Sequence, residues 1–359
     1  MKIAHLINSM HTGGAENLIT ESVPVFKSQG LIVDVILLNG IETPFLTKLQ
    51  TTNCNIVSLS KSSVYNPFLI FKIMPLLRKY DVIHVHLFPA LYWVAIAKLI
   101  SFSKVKLVFT EHGTSNRRMN NAFFAPIDRF IYSFYDKIIT ISNDVDYAIK
   151  SALKCDANKF ELIKNGINID AIKKASPYAD RLFLKNFCEK FLFQFSSFQY
   201  PKDQKTVVKA LLHLPPNVHL FLVGDGILKS DCEAIVKALN LQSRVHFLGI
   251  RMDVPNLLKT ADVVVLSSHH EGLSLASIEG LASGKPFICS DVPGLHEVVK
   301  GAGLLFKDKN EIQLSEHIIS LLENESYYNQ TVQNCLKRAA EFDIETMIRK
   351  EIELYKKII

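Results

Sequence analysis

Short runs of β-branched and aromatic residues recur along the chain, alternating with stretches whose apolar residues have helical spacing. In the first half, strand-like runs lie near 2–8, 32–38, 55–59, 81–87, 105–111 and 136–141, with helical stretches such as 15–29 and 67–79 between them. The pattern restarts at Phe191-Leu-Phe-Gln-Phe-Ser196 and continues through 217–223, 244–248, 262–267, 286–290 and 303–306. Runs such as Asp262-Val-Val-Val-Leu266 suit strands buried on both faces, which is what parallel sheets require. Strands alternating with helices predict α/β architecture, and two such sets predict two doubly wound domains. The changeover falls between Asn165 and Glu189, where apolar periodicity weakens and Lys173-Lys174-Ala-Ser-Pro177 intervenes. At the end of the chain, residues 344–355 space their apolar positions as an amphipathic helix does.

Composition narrows the picture. A length of 359 residues is comfortable for two domains, and 48% hydrophobic with 21% charged residues describes a folded protein. The cysteines (Cys54, Cys155, Cys188, Cys232, Cys289 and Cys335) form no CxxC pair and no Cys/His ligand spacing. That argues against a zinc site or a disulfide framework and fits a reducing cytosol. The N-terminus enters a strand at once, without the architecture of a signal peptide. The longest charge-free stretch, 82–97, contains His84, His86 and Pro89; a strand followed by a helix explains it better than a membrane span. Residues 1–175 hold 20 Lys and Arg against 13 Asp and Glu, whereas the remainder holds 21 against 22. A basic first half suggests an anionic partner, or lysines that merely confer solubility. No helix-turn-helix, RRM or zinc signature supports nucleic acid.

Candidate chemistry concentrates in 267–286, SSHHEGLSLASIEGLASGKP. Glu271 and Glu279 stand astride what reads as a loop running into a helix, just past an apolar strand. Open α/β sheets place their ligands at that edge. The amides of Leu273 to Ser277 would form a helix N-terminus, which attracts phosphate. Amides for a diphosphate beside carboxylates for hydroxyls would suit a nucleotide-sugar. The alternative is a plain loop glutamate followed by one on a solvated helix face.

This segment resembles the Glu-x7-Glu motif of retaining glycosyltransferases of family four, which have the GT-B fold. Further motifs follow in family order over nearly all of the chain: His11-Thr-Gly-Gly-Ala-Glu16, Asn165-Gly166-Ile167, Gly224-Asp225-Gly226 and Val245-His246-Phe247-Leu248-Gly249. Each alone is weak, but the ordered set is specific. The resemblance implies two Rossmann-like domains facing across a cleft: an acceptor-side domain over 1–170 and a nucleotide-sugar domain over 185–343. It also implies that helix 344–359 packs back on the first domain.

By the same likeness, Glu279 would hold the ribose hydroxyls and Glu271 the transferred sugar. Gly272, Leu273, Ser274 and Leu275 would present amides to diphosphate and sugar. Lys202, in Tyr200-Pro-Lys-Asp-Gln204, would neutralise the diphosphate, unless it is simply a solvated turn lysine. The base should lie near Gly249-Ile250-Arg251, with Gly224 and Gly226 alongside. Gly13 and Gly14 would let backbone approach the donor diphosphate or the acceptor. His112, in Phe109-Thr-Glu-His-Gly113, matches a family histidine facing the transferred sugar, or is a satisfied strand-end histidine. One departure is clear: Ser197 stands where the family usually has arginine, so either a neighbour such as Lys205 or Arg251 compensates or the leaving group is held less firmly.

GT-B enzymes characteristically need no metal, so His269-His270 and the formal DxD at Asp144-Val-Asp146 are assigned none; the latter reads as a helix cap. His84 and His86 alternate on one strand and carry no assigned chemistry. No cofactor is expected beyond a nucleoside-diphosphate-sugar donor, UDP-linked. The expected acceptor is a polyprenyl-diphosphate-linked or other glycan of bacterial capsule, O-antigen or exopolysaccharide assembly. Segments 67–79 and 116–126 mix aromatics with cations. They suit an anionic membrane surface, or buried helices with snorkelling ends. The expectation is a cytoplasmic protein, peripheral at the inner face of the cell membrane. A transferase with a soluble acceptor and a silent GT-B scaffold are the alternatives. A nicotinamide dehydrogenase lacks its GxGxxG after the first strand.

Overall fold

Seven parallel strands build the first sheet: β1 (Lys2–Ile7), β2 (Ile32–Leu37), β3 (Asn55–Ser58), β4 (Val82–His86), β5 (Lys106–Glu111), β6 (Lys137–Thr140) and β7 (Phe160–Leu162). Their order is β3-β2-β1-β4-β5-β6-β7. Six more build the second: β8 (Lys190–Phe195), β9 (Val218–Val223), β10 (Val245–Gly249), β11 (Val263–Leu266), β12 (Phe287–Ser290) and β13 (Leu304–Phe306), in the order β10-β9-β8-β11-β12-β13. The computed structural model describes residues 1–11, 13–113, 121, 124–153, 156–178 and 189–359. The chain divides into a unit of Met1–Gly166 with Ile344–Ile359 and a unit of Ile167–Asp343. Each sheet is covered on both faces by helices, so β4, β9 and β11 are buried at every residue. Their near-continuous apolar sequences follow from that cover.

Two faces of the first sheet differ in chemistry. One presents Ala4, Leu6, Ile83, Val85, Leu107 and Phe109 to an apolar core. Each such side chain stabilises the fold by roughly 1.5–3 kcal/mol. The alternation of a strand puts His5, His84, His86 and Thr110 on the other face. There lie the helices Gly14–Ser28 and Ile344–Ile358: Phe26 of the former packs on His5, with ring centroids 5.2 Å apart, and on Tyr355 of the latter at 6.2 Å.

One local expectation fails, and one strand was missed. Residues 67–79 are not one helix but a short α-helix, Leu69–Ile73, followed by a 3-10 turn, Met74–Lys79. Pro75 lacks an amide hydrogen and its ring crowds the preceding turn, so α geometry stops there. The strand β7 was not anticipated from sequence. Most of 116–126, with Thr12, lies outside the described residues.

Candidate functional site

In the second sheet the chain runs from β8 outward to β9 and later returns on the other side of β8 as β11. The crevice between β8 and β11 is therefore the topological switch point, where such sheets bind ligands beyond their carboxyl ends. Two loops meet there. One, after β8, carries Ser197 and Lys202; the other, after β11, carries Glu271. Backbone bonds join them: Asp203 N donates to Ser267 O at 3.0 Å, and His269 N to Pro201 O at 2.9 Å. This stitching brings the Lys202 ammonium onto Oε1 of Glu271 in a short ion pair. Both side chains are largely shielded, at 15% and 11% exposure. Shielding makes the partnership strict, because removing either ion would strand the other away from water.

Beyond Glu271 the chain passes Gly272 and Leu273 into the helix Leu275–Ala282. Ser274 is its N-cap and makes no side-chain bond to the first turn, so the helix start offers its positive end to a ligand. Glu279 sits half-buried on this helix. Its neighbour Gly280 packs against the Phe287 ring of β12, where a Cβ would fall 2.4 Å from the ring edge. That close contact fixes the helix against the sheet.

Gly224 and Gly226 line the loop after β9 with φ of +139° and +154°. Side chains there would strike the carbonyl oxygens of Ser196 and Phe198 at 2.1 and 2.4 Å. Glycine thus lets this loop lie directly on the one leading to Lys202, tied by Phe198 N donating to Asp225 O at 2.9 Å. A cavity of about 110 Å³ opens beside Lys202, lined also by Tyr200, Asp203, Lys205, Leu228 and His269. That is well short of the ~300 Å³ that ligand pockets begin at, but enough for a small polar group.

In the first unit, Gly13 is the N-cap of the helix Gly14–Ser28. The Glu16 carboxylate folds back over it, so that a Cβ at residue 13 would meet Oε2 at 2.3 Å. Burial pushes the Glu16 carboxyl up to about 7. His112 follows β5 with its Nε2 3.3 Å from Nδ1 of His86, and burial holds its pKa down to about 4. Sequence reasoning passed over Glu16, although it closes the Gly-Gly-Ala-Glu motif.

Among the described residues, two groups bring three potential metal-ligating atoms within 4.8 Å of one another: His5, His84 and His86, and Asp203, His269 and Asp308. Most of these atoms are already engaged. Asp203 accepts from Thr206 N and from Ser267 Oγ, and His269 Nδ1 is 2.9 Å from Asp308. The Asp144-Val-Asp146 segment opens the helix Asn143–Leu153, where Asp146 accepts from Thr140 Oγ1 and pairs with Lys150.

The family model for glycosyl transferases group 1 matches residues 183–338, and that for glycosyltransferase family 4 matches residues 12–171. Together they account for nearly the whole chain. It belongs to the family-four glycosyltransferases. The Campylobacter jejuni N-acetylgalactosamine-N,N'-diacetylbacillosaminyl-diphospho-undecaprenol 4-alpha-N-acetylgalactosaminyltransferase is 25% identical over 95% of this chain and 96% of its own. The Escherichia coli UDP-Gal:alpha-D-GlcNAc-diphosphoundecaprenol alpha-1,3-galactosyltransferase is 28% identical over 77% and 75%. The crystal structure of Anabaena HepE in complex with UDP-glucose superposes with a TM-score of 0.87 at 23% identity, covering 99% of this chain and 100% of that one. The fold is therefore GT-B, with two Rossmann-like parallel sheets, and the protein is a glycosyltransferase.

For this glycosyltransferase the two cations considered as substitutes at Ser197 are not equivalent. Arg251 donates through Nε and Nη2 to Asp253, at 2.8 and 2.5 Å, and Tyr178 donates to the same carboxylate. The guanidinium and the phenol hold Asp253 down to about 2, so Arg251 is committed. Lys205 lines the cavity with Lys202 and, among the described residues, pairs only with an exposed Asp231 carboxylate, at 3.9 Å. Lys205 is the cation with reach to spare.

Proposed function

We propose that this enzyme transfers a sugar, with retention of configuration, from a UDP-linked donor to a hydroxyl of a polyprenyl-diphosphate-linked glycan. The observation that carries the reading is the shielded Lys202–Glu271 pair at the switch point, with the Leu275–Ala282 helix start beside it. Lys202 and the helix amides would hold the diphosphate, which gains charge as it leaves. Glu271 would bind the transferred sugar and Glu279 the ribose hydroxyls; His112, in the first unit, is the further candidate for a sugar contact. In the reaction the anomeric carbon–phosphate oxygen bond breaks and the acceptor oxygen bonds to that carbon from the same face. The acceptor proton passes to the departing phosphate. The protein's part is orientation and electrostatics, and no cofactor of its own is required on this reading. The named acceptors of the Campylobacter and E. coli relatives support the lipid-linked glycan, and with it a place in surface polysaccharide assembly. A screen of UDP-, GDP- and ADP-sugars, with mass detection of products on polyprenyl-linked acceptors, tests it. Turnover only with lipid-free acceptors would replace the lipid-linked glycan with a soluble one.

Such an acceptor requires the enzyme to work at a membrane. Among the described residues no helix is long and apolar enough to cross one. Phe68 and Phe71, at 70% and 61% exposure, are followed along the chain by exposed Lys72, Arg78 and Lys79. The neighbouring helices Ala90–Ser101 and Phe124–Ser133 expose Leu99, Ile100 and Phe130. This cationic and aromatic surface supports peripheral docking on the cytoplasmic leaflet, each basic residue contributing roughly 1 kcal/mol. Sedimentation with anionic vesicles should be lost on Phe68→Ser/Phe71→Ser and weakened by salt. A protein that stays in the supernatant at low salt would refute docking.

A further inference from the structure

Three imidazoles form a continuous hydrogen-bonded line through the first unit. His112 Nε2 lies 3.3 Å from His86 Nδ1, and His86 Nε2 lies 3.1 Å from His5 Nδ1. The line is built by strand register: β1 pairs with β4 so that His5 is opposite His84, and β4 with β5 so that His86 is opposite Thr110. It ends inside the protein. His5 and His86 are each 2% exposed, and Nε2 of His5 is a buried atom without a hydrogen-bond partner. His84 does not branch from the line, because its two nitrogens are taken by the hydroxyls of Tyr355 and Thr110, each at 2.6 Å.

We propose that His86, backed by His5, is a positioning residue that fixes the tautomer of His112, so that His112 offers Nδ1–H as a hydrogen-bond donor to the substrate. This rests on the reading of His112 as a group that faces the transferred sugar. A neutral imidazole has one N–H and one lone pair. Burial holds His5 and His112 at about 4 and His86 well below its usual value, so all three are neutral at pH 7. Each nitrogen–nitrogen contact must then join one N–H to one lone pair, and two contacts in series must point the same way. Only two arrangements remain. If the protons point inward, His5 keeps an Nε2–H sealed in the protein with no acceptor. If they point outward, His5 donates to His86, His86 donates to His112, and the atom left over is a lone pair. Buried N–H groups without acceptors are the rarer condition, which favours the outward arrangement. The proton of His112 is then on Nδ1, for which the described residues supply no partner. A donor there stabilises charge growing on a sugar or phosphate oxygen, whereas the other tautomer would set a lone pair against it.

Long-range proton–nitrogen correlation spectra of the histidine-labelled enzyme near pH 7 report which ring nitrogen bears the proton. The expected spectrum has His112 protonated on Nδ1; protonation on Nε2 in the wild type would overturn the proposal without any variant. In His86→Phe, His112 should lose this tautomer and kcat should fall about tenfold or more, with KM for the donor little changed. His86→Gln, whose amide can donate to His112 and accept from His5, should restore both. A tautomer that does not respond to His86→Phe would also overturn the proposal. A tautomer that shifts while kcat holds would instead overturn the placing of His112 against substrate.

Discussion

Replacing Gly294 with alanine asks whether the loop bearing Glu271 is held in place by direct backbone contact. Gly294 caps the helix Leu295–Val299 with φ of +80°. A Cβ at this position would lie 2.2 Å from the carbonyl oxygens of both Glu271 and Gly272. The obstacles are backbone atoms, so no side chain can swing away. The left-handed conformation costs about 1–2 kcal/mol, and forced displacement of packed atoms about 1–3 kcal/mol. Together these predict a loss of about 2–5 kcal/mol, or roughly 5–15 °C in Tm for a unit of this size. Gly301→Ala supplies the control, because its φ is +76° but nothing lies within 4 Å of the added carbon. It should lose the conformational part alone. Thermal unfolding of the two variants isolates the steric part, and titration with the nucleoside diphosphate and a donor sugar reads the site. Gly294→Ala should also slow transfer by about tenfold or more, since misplacing a reacting group by about 1 Å can cost about a hundredfold. Equal Tm losses in the two variants, with Gly294→Ala turning over normally, would show that backbone contact at Gly294 does not hold the Glu271 loop.

Lys202→Ala should lose at least about tenfold in kcat/KM, about 1.4 kcal/mol of transition-state stabilisation. Because it strands Glu271, thermal unfolding should find Lys202→Ala/Glu271→Gln at least as stable as Lys202→Ala alone, and clear additivity would count against the pair. Glu279→Ala should raise KM for the donor, whereas Glu271→Ala should lower kcat; near-wild-type kinetics for both would sink the site. Glu351 is buried, and desolvation pushes its carboxyl up to about 8. The folded protein therefore keeps a proton that the unfolded chain gives up from about pH 4.5, so stability falls as pH rises to about 8, by at most about 4–5 kcal/mol. Glu351→Gln should thus gain Tm over wild type increasingly from about pH 5 to pH 8, and a pH-independent difference would refute the assignment.

Much of the fold could be read because parallel strands covered on both faces are written as unbroken apolar runs. The strand Phe160–Leu162 escaped because it is three residues long, has Glu161 in its middle and pairs only with β6 at the sheet edge. The stretch 67–79 misled because its apolar spacing is helical while Pro75 is not. At the site, the candidate residues were legible as motifs, but their partnerships were not. Lys202 and Glu271 are 69 residues apart, and they meet only because β11 adds to the far side of β8. His84 and His86 are visibly on one face of a strand, yet His5 reaches His86 from β1 through a register that no local pattern encodes. Arg251 is the opposite case. Asp253, two residues on, was in plain view as a competitor for the guanidinium.

The most direct test of the central claim is proton NMR of the glycoside formed from an α-linked UDP-sugar and a polyprenyl-diphosphate-linked acceptor. Retention predicts an α-linked product, formed far more slowly by the Lys202→Ala enzyme. A β-linked product would contradict retention. Failure to consume any UDP-, GDP- or ADP-sugar with any acceptor would contradict the site itself.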